Sequence, residues 1–225
     1  MKIHKNSFKR FYGQDYIYYI VVKTKNNYLY FKEPIFCELL LEELKLCKQL
    51  KNFKLCSFSL IYDHLNLLIQ PGDDYNISKI MKPLKENSSR DINKIMASLK
   101  GAETPPNSAG AIPRANSVGA TSTSRLQSLR PQDLTPLSRQ DNDTTTCRRQ
   151  IREKIEIFKS QFNEKYRQNP FPKFRWQKSF YDHVVGGDLD FDNHFDYTAE
   201  NFIKHGLPED WPYTSYNYPE MTDDL

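Results

Sequence analysis

The chain has 225 residues, 38% of them hydrophobic, with a mean hydropathy of −0.73 and a formal net charge of +4. That length holds one ordinary domain with additions, and the mild positive balance is compatible with a polyanionic partner without establishing one. No run of about 18 apolar residues occurs, so no membrane span is expected, and the opening MKIHKNSFKRFYG lacks the apolar core of a secretory signal.

Residues 16–24, β-branched and aromatic, predict a buried strand. Pro34 opens a helix through Leu50, with Phe36, Leu39, Leu40 and Leu44 at helical spacing. Residues 53–62 alternate as a second strand, Asp63 starts a tight turn, and HLNLLIQ (64–70) is a third strand that ends at Pro71-Gly72. Asn76 or Ser78 caps a helix over about 77–96, which Pro83 should kink or restart.

The composition then changes. Residues 101–147 hold five prolines and no aromatic, and residues 101–150 use Arg six times and Lys never, against fifteen Lys and two Arg in residues 1–100. Such a stretch buries too little surface to offset ordering entropy, so a disordered insertion is expected over 99–147. The shift also mirrors a change from AT-rich to GC-rich codons, as inserted DNA read in frame would give. Beyond it, IREKIEIFKSQFNEKYRQ reads as a helix, and FPKFRWQKSFYDHVV as an aromatic, basic and partly extended segment. Asp188 caps a final helix running to about His205 and ended by Gly206. The tail EDWPYTSYNY docks as a short strand or loop, and residues 219–225 fray. Cys37, Cys47, Cys56 and Cys147 form no C-x-x-C pair, which fits reduced intracellular thiols.

Three constellations could carry chemistry. In a strand, His64 and Asn66 share a face and lie roughly 7 Å apart at Cα. Both can reach one hard divalent ion, or both can simply face solvent at a sheet edge. On the last helix His194, Tyr197, Asn201 and Lys204 form one stripe, which is either a solvated face or a polar face turned to the sheet. A phenol is a weak nucleophile and needs a polarised phosphate or a base. Lys173, Arg175, Trp176, Gln177, Lys178, Phe180 and Tyr181 interleave rings and cations, as a single-strand nucleic-acid surface does. They would equally seal a sheet edge. His183 reads as a surface histidine, and Asp190 and Asp192 as cap or solvated carboxylates.

The segments YDHLNLLIQPGDDYNISKIMKPLKENSSRDINKI, FRWQKSFYDHVV and HFDYTAENFIKHGLPEDWPYTSYN, in that order, resemble the REP-associated tyrosine transposases, single-tyrosine enzymes with a His-hydrophobic-His strand. The resemblance covers most of 8–96 and 172–218. It implies an α+β fold: a ferredoxin-like or RRM-like antiparallel sheet with helices packed on one face. It implies a metal-dependent, single-stranded DNA endonuclease and strand transferase acting on hairpin-bearing DNA through a 5′-phosphotyrosyl intermediate. Tyr197 then matches the nucleophile, and His64, Asn66 and Asn201 hold Mg²⁺ or Mn²⁺. Lys173, Arg175, Trp176, Gln177, Lys178, Tyr181 and Lys204 bind DNA. Two positions depart from the pattern: Asn66 stands where the second histidine falls, and Phe202 follows Asn201 in place of a proline. The first departure predicts weakened activity, and a hairpin-binding protein that no longer cuts is the second reading. The expected organisation is a transposase-like domain in two parts, 1–98 and 148–218, in a monomer or homodimer with no membrane partner. A cytoplasmic, DNA-associated prokaryotic protein is the matching setting. A generic RRM-like RNA binder lacks the RNP-type aromatic strand.

Overall fold

A computed structural model describes residues 15–99 and 139–224. The elements are β1 (Tyr18–Lys23), α1 (Pro34–Lys51), β2 (Lys54–Ile61), β3 (His64–Gln70), α2 (Ile77–Met96), α3 (Arg139–Lys165), β4 (Tyr181–Val184), α4 (Asp188–Ala199) and α5 (Asn201–Lys204). The strands form one antiparallel sheet in the order β2-β3-β1-β4. This is the expected ferredoxin-like α+β arrangement, with the β2–β3 hairpin supplying its tightest connection.

Strand alternation divides the sheet into two faces. Tyr18, Ile20 and Val22 of β1 and Leu65, Leu67 and Ile69 of β3 turn toward α1, α2 and α3 and join the main core. Tyr19, Val21, His64, Asn66 and Leu68 necessarily turn the other way, where α4 and α5 lie against β2 and β3.

Local chemistry sets the helix limits. The Glu33 carboxylate accepts from the Ile35 N–H at the start of α1, and Pro34 takes the first position, where no donor is needed. Asn52, at φ 45°, closes the other end in the left-handed region. Gly72 passes directly over that cap: a Cβ there would lie 2.3 Å from the Asn52 carbonyl oxygen, so any other residue forces the two loops apart. Asn76, not Ser78, caps α2, its Oδ1 accepting from the Lys79 N–H at 3.0 Å. Of the kink or restart expected at Pro83, the restart does not occur; α2 is one helix, whose buried stripe Ile77-Ile80-Met81-Leu84 spans the proline and outweighs one missing donor.

Most of the predicted insertion lies outside the described residues. At its edges the expectation is corrected: Leu99 is buried in the main core, and residues 139–147 already belong to α3. The helix is held by Ile151, Ile155, Phe158 and Phe162, a stripe at helical spacing buried against α1 and α2.

The carboxy-terminal segment is strapped on. Leu60 N–H donates to the Tyr213 carbonyl at 2.9 Å, and Ser59 and Thr214 form a bridge on the β2 edge. The expected fraying over 219–225 is corrected through residue 224: Met221 is buried, and the Asp223 carboxylate accepts from the Leu55 N–H and from Lys48, both at 2.8 Å. Among the described residues no helix is long and apolar enough to cross a membrane.

Candidate functional site

The open side of the sheet carries a cleft of about 540 Å³ lined by Tyr19, Lys23, His64, Asn66, Tyr181, Tyr197 and His205, among others. His64 is not at a solvated sheet edge. It sits on an inner strand, 5% exposed, and Asn66 is 1% exposed.

The His64 ring is fixed at both nitrogens. Nδ1 lies 2.6 Å from Asp63 Oδ1, and Nε2 lies 3.2 Å from Asn201 Nδ2. An ionised Asp63 can only accept, so Nδ1 carries the proton and Nε2 presents its lone pair to the cleft. Burial works to raise the Asp63 pKa, but the hydrogen bond and charge of His64, with Lys23 and His205, hold it below the ordinary value. His205 stacks edge-on against His64, with ring centroids 4.9 Å apart. Burial, then the neighbouring His64, push its pKa below the ordinary histidine value.

The expected single helix over 188–205 is two helices. Glu200, at φ −99° and ψ 6°, interrupts the chain between α4 and α5. The break lets Phe202 bury against Ile61 and Leu207 and turns Asn201 fully inward, 1% exposed. Tyr197 stays on α4, 38% exposed, with the Lys204 ammonium 3.9 Å from its ring centroid. Gly187 rather than Asp188 is the N-cap of α4, and Gly206, at φ 66°, ends α5 as expected.

Tyr19 ties the site together. Its hydroxyl donates to Asn66 Oδ1 at 3.2 Å, and its ring lies 5.9 Å from Tyr197, 6.3 Å from Tyr181 and 4.8 Å from His194. Burial, reinforced by Tyr197 and Tyr181, pushes its pKa far above the ordinary tyrosine range, so it is a permanent donor. Sequence reasoning missed Tyr19, Asp63 and His205. Asp63 alone had a local signal, a carboxylate adjoining the histidine in a tight turn.

The basic segment alternates as a strand edge does. Lys25 N–H donates to the Arg175 carbonyl and Gln177 N–H to the Lys23 carbonyl, both at 2.8 Å, so the segment pairs with the end of β1, in line with β4. Phe174 and Trp176 point inward, and Trp176 Nε1 donates to Ser88 Oγ at 3.0 Å. The Trp176 ring is 8% exposed and packed on Phe31 and Phe174, and its remaining edge lines the groove beside it. Lys173, Arg175, Gln177 and Lys178 point outward and, with Lys82 and Arg90 of α2, line a groove of about 760 Å³. Gln177, Ser179 and Phe180 line both this groove and the cleft, which makes the two continuous. Tyr181 is 59% exposed at the junction.

The family model of IS200-like transposases matches residues 13–105. The match covers less than half of the chain. The matched stretch runs from β1 through α2 and contains His64 and Asn66, while Tyr197 and Asn201 lie beyond it. A protein of Haemophilus influenzae described as a REP-associated tyrosine transposase is 40% identical over 73 residues, which is 27% of this chain and 39% of that relative's length. Among solved structures, a REP-associated tyrosine transposase bound to a REP hairpin aligns over 95% of this chain and 84% of its own, at 12% identity and a TM-score of 0.48. A transposase structure from Deinococcus radiodurans aligns over 44% of this chain and 73% of its own, at 18% identity and a TM-score of 0.33.

The cleft has an unfinished donor set. Asn201 Oδ1 and Asn66 Nδ2 are buried without hydrogen-bond partners, a costly state for polar atoms. Turning the Asn201 amide over would set Oδ1 beside His64 Nε2, two lone pairs that need a cation between them. Turning the Asn66 amide over would free its Oδ1 while Nδ2 donates to the Tyr19 oxygen. One imidazole nitrogen and amide oxygens fit a hard or borderline divalent ion.

Proposed function

We propose that this chain is a metal-dependent endonuclease and strand transferase for single-stranded DNA, with Tyr197 as the nucleophile. The observation that carries the reading is the shared cleft: a partly exposed phenol on α4 and an oriented imidazole on β3 line the same 540 Å³ space.

His64 Nε2 and Asn201 Oδ1, with Asn66, would hold Mg²⁺ or Mn²⁺, which when bound polarises the scissile phosphate. The residues themselves do the remainder. Tyr197 Oη attacks phosphorus, forming the phosphotyrosyl bond as the P–O3′ bond breaks. The phenol proton leaves to solvent through the open cleft, and the departing 3′ oxygen takes one up. Attack by a second 3′-OH on the adduct reverses these roles and joins strands. Lys204, against the Tyr197 ring, favours the developing phenolate and the phosphate charge. Asp63 keeps His64 in the required tautomer.

The groove beside Lys173, Arg175, Gln177 and Lys178 suits a hairpin stem, read mainly through its phosphates. The single strand then crosses Gln177 and Ser179 into the cleft, where Tyr181 offers a stacking face. One chain supplies every group named, so a monomer suffices.

The Tyr19–Asn66 bond favours a second reading, a hairpin binder that no longer cuts, because it occupies the oxygen Asn66 would lend to the metal. One assay separates them: the chain is mixed with hairpin-bearing single-stranded DNA and Mn²⁺ and run on a denaturing gel. A covalent adduct lost in Tyr197→Phe supports the nuclease. Retarded DNA without adduct supports the binder, and an adduct that survives Tyr197→Phe ends the assignment of the nucleophile.

A further inference from the structure

We propose that His183, Asp190 and His194 form a second metal site, for a borderline transition-metal ion such as Zn²⁺, which clamps the tyrosine-bearing helix to the sheet edge. These are the only three such side chains that converge among the described residues, with ligand atoms within 4.8 Å of one another.

Asp190 and His194 lie one turn apart on α4, so both project from one helix face. His183 lies on β4 opposite Tyr19, on the same sheet face as the cleft. The Asp190 carboxylate sits between the two rings: Oδ2 is 3.0 Å from His183 Nε2, and Oδ1 is 3.0 Å from His194 Nδ1. The Gly186 N–H also donates to Oδ2 at 2.8 Å and fixes the carboxylate's rotation. Tetrahedral zinc, with bonds of about 2.0–2.2 Å, separates its ligand atoms by about 3.4 Å. Each histidine nitrogen lies 3.0 Å from its own oxygen of that carboxylate, and one ligand atom from each residue falls within 4.8 Å of the others, so the two stacked rings must turn toward each other to close on one ion. The His194 Nδ1 proton, now directed at Asp190, leaves on binding.

The donor set differs from that of the cleft. Two imidazoles and one carboxylate favour Zn²⁺, Co²⁺ or Ni²⁺ over Mg²⁺, which prefers oxygen throughout. Side-chain exposures of 23–39% leave room for entry and for a water as fourth ligand. Tyr19 stands between the two sites, its hydroxyl on Asn66 and its ring on His194.

Such a clamp has a physical use. In α4 only Thr198 and Ala199 are fully buried, and Leu189 is 77% exposed, so the helix carrying Tyr197 is lightly anchored. An ion bridging α4 to β4 would stabilise the seated helix by mass action. Binding here stands whether or not Tyr197 cuts DNA.

The test uses the full metal-free chain with His64→Ala, which removes the cleft imidazole. Co²⁺ is titrated in and its visible ligand-field absorption followed, with Zn²⁺ as competitor. Saturation at one equivalent is expected, with affinity reduced about tenfold or more when His183→Gln or His194→Ala is added. Zn²⁺ should raise the unfolding midpoint of His64→Ala and leave that of the double variants unmoved. Circular dichroism without metal identifies any variant that fails to fold, and the His183→Gln chain, altered at a partly exposed strand edge, then decides. No saturable binding in His64→Ala, or equal binding in folded double variants, overturns the proposal.

Discussion

His64 Nε2 and the Asn201 side-chain amide meet at 3.2 Å although 137 residues separate them. The contact joins an inner strand to the short helix after the break at Glu200. On its far side His64 is held by Asp63 at 2.6 Å. The imidazole therefore has one usable tautomer and one direction.

Asp63 should be a positioning residue. Asp63→Asn keeps the shape but can donate an N–H toward His64 Nδ1, which favours the tautomer with its proton on Nε2. Mn²⁺ affinity of the cleft should fall about 10–100-fold, and adduct formation should recover in part at high Mn²⁺. An unchanged metal dependence would show that His64 does not bind the ion through Nε2.

Asn66→His should raise metal-dependent adduct formation, by about tenfold or more. Position 66 shares the cleft-facing side of β3 with His64, and an imidazole there no longer depends on breaking the bond from Tyr19. Single-turnover rates on hairpin-bearing DNA measure the change. No gain would place Asn66 outside the metal shell.

The regular elements were legible because their patterns are long and consistent. The third strand occupies 64–70 as read, and α1 and α2 follow their apolar stripes and caps. The pairing of His64 with Asn201 was legible only through family likeness, since no local period links them. The break at Glu200 has no proline or glycine to mark it and arises from Phe202 seeking the Ile61–Leu207 cluster. β4 has four residues and draws its pairing from β1, so its alternation was too short to separate from the basic segment. That segment was read as serving either DNA or the sheet edge, and its alternation divides it, with Phe174 and Trp176 inward and the cations outward.

The division predicts two phenotypes from adjacent residues. Replacing Lys173, Arg175 and Lys178 together by Ala should weaken hairpin binding and flatten its salt dependence by about 0.7–0.9 in log–log slope per lost phosphate contact, with little change in thermal stability. Trp176→Ala should instead cost about 3–5 kcal/mol of stability, because it empties a packed aromatic cluster and leaves Ser88 Oγ without its indole donor. Filter binding over a salt series and thermal melts separate these effects. Equal loss of stability in both would refute the division.

A buried carboxyl pair between α1 and α2 sets a pH dependence away from the cleft. Glu43 is 3% exposed and Asp91 1% exposed. Arg90 and Lys94 pair with Asp91 at 2.7 and 2.9 Å and keep it ionised. Burial, then the hydrogen bond and charge of Asp91, raise Glu43 from 4.5 to about 8. Below about pH 4.5 Glu43 is protonated both folded and unfolded. Between there and about pH 8 the unfolded chain releases a proton that the folded chain keeps, so rising pH favours unfolding. Asp91, with its folded pKa lowered, contributes in the opposite sense and loses its contribution only on acidification below the ordinary value of 3.8, outside that window. Glu43→Gln keeps a neutral donor toward Asp91 and removes the titration. The wild-type unfolding midpoint should fall from pH 5 to pH 8 relative to the variant, so that Glu43→Gln gains most at the alkaline end. Parallel curves across that range would mean that Glu43 is ionised in the folded chain.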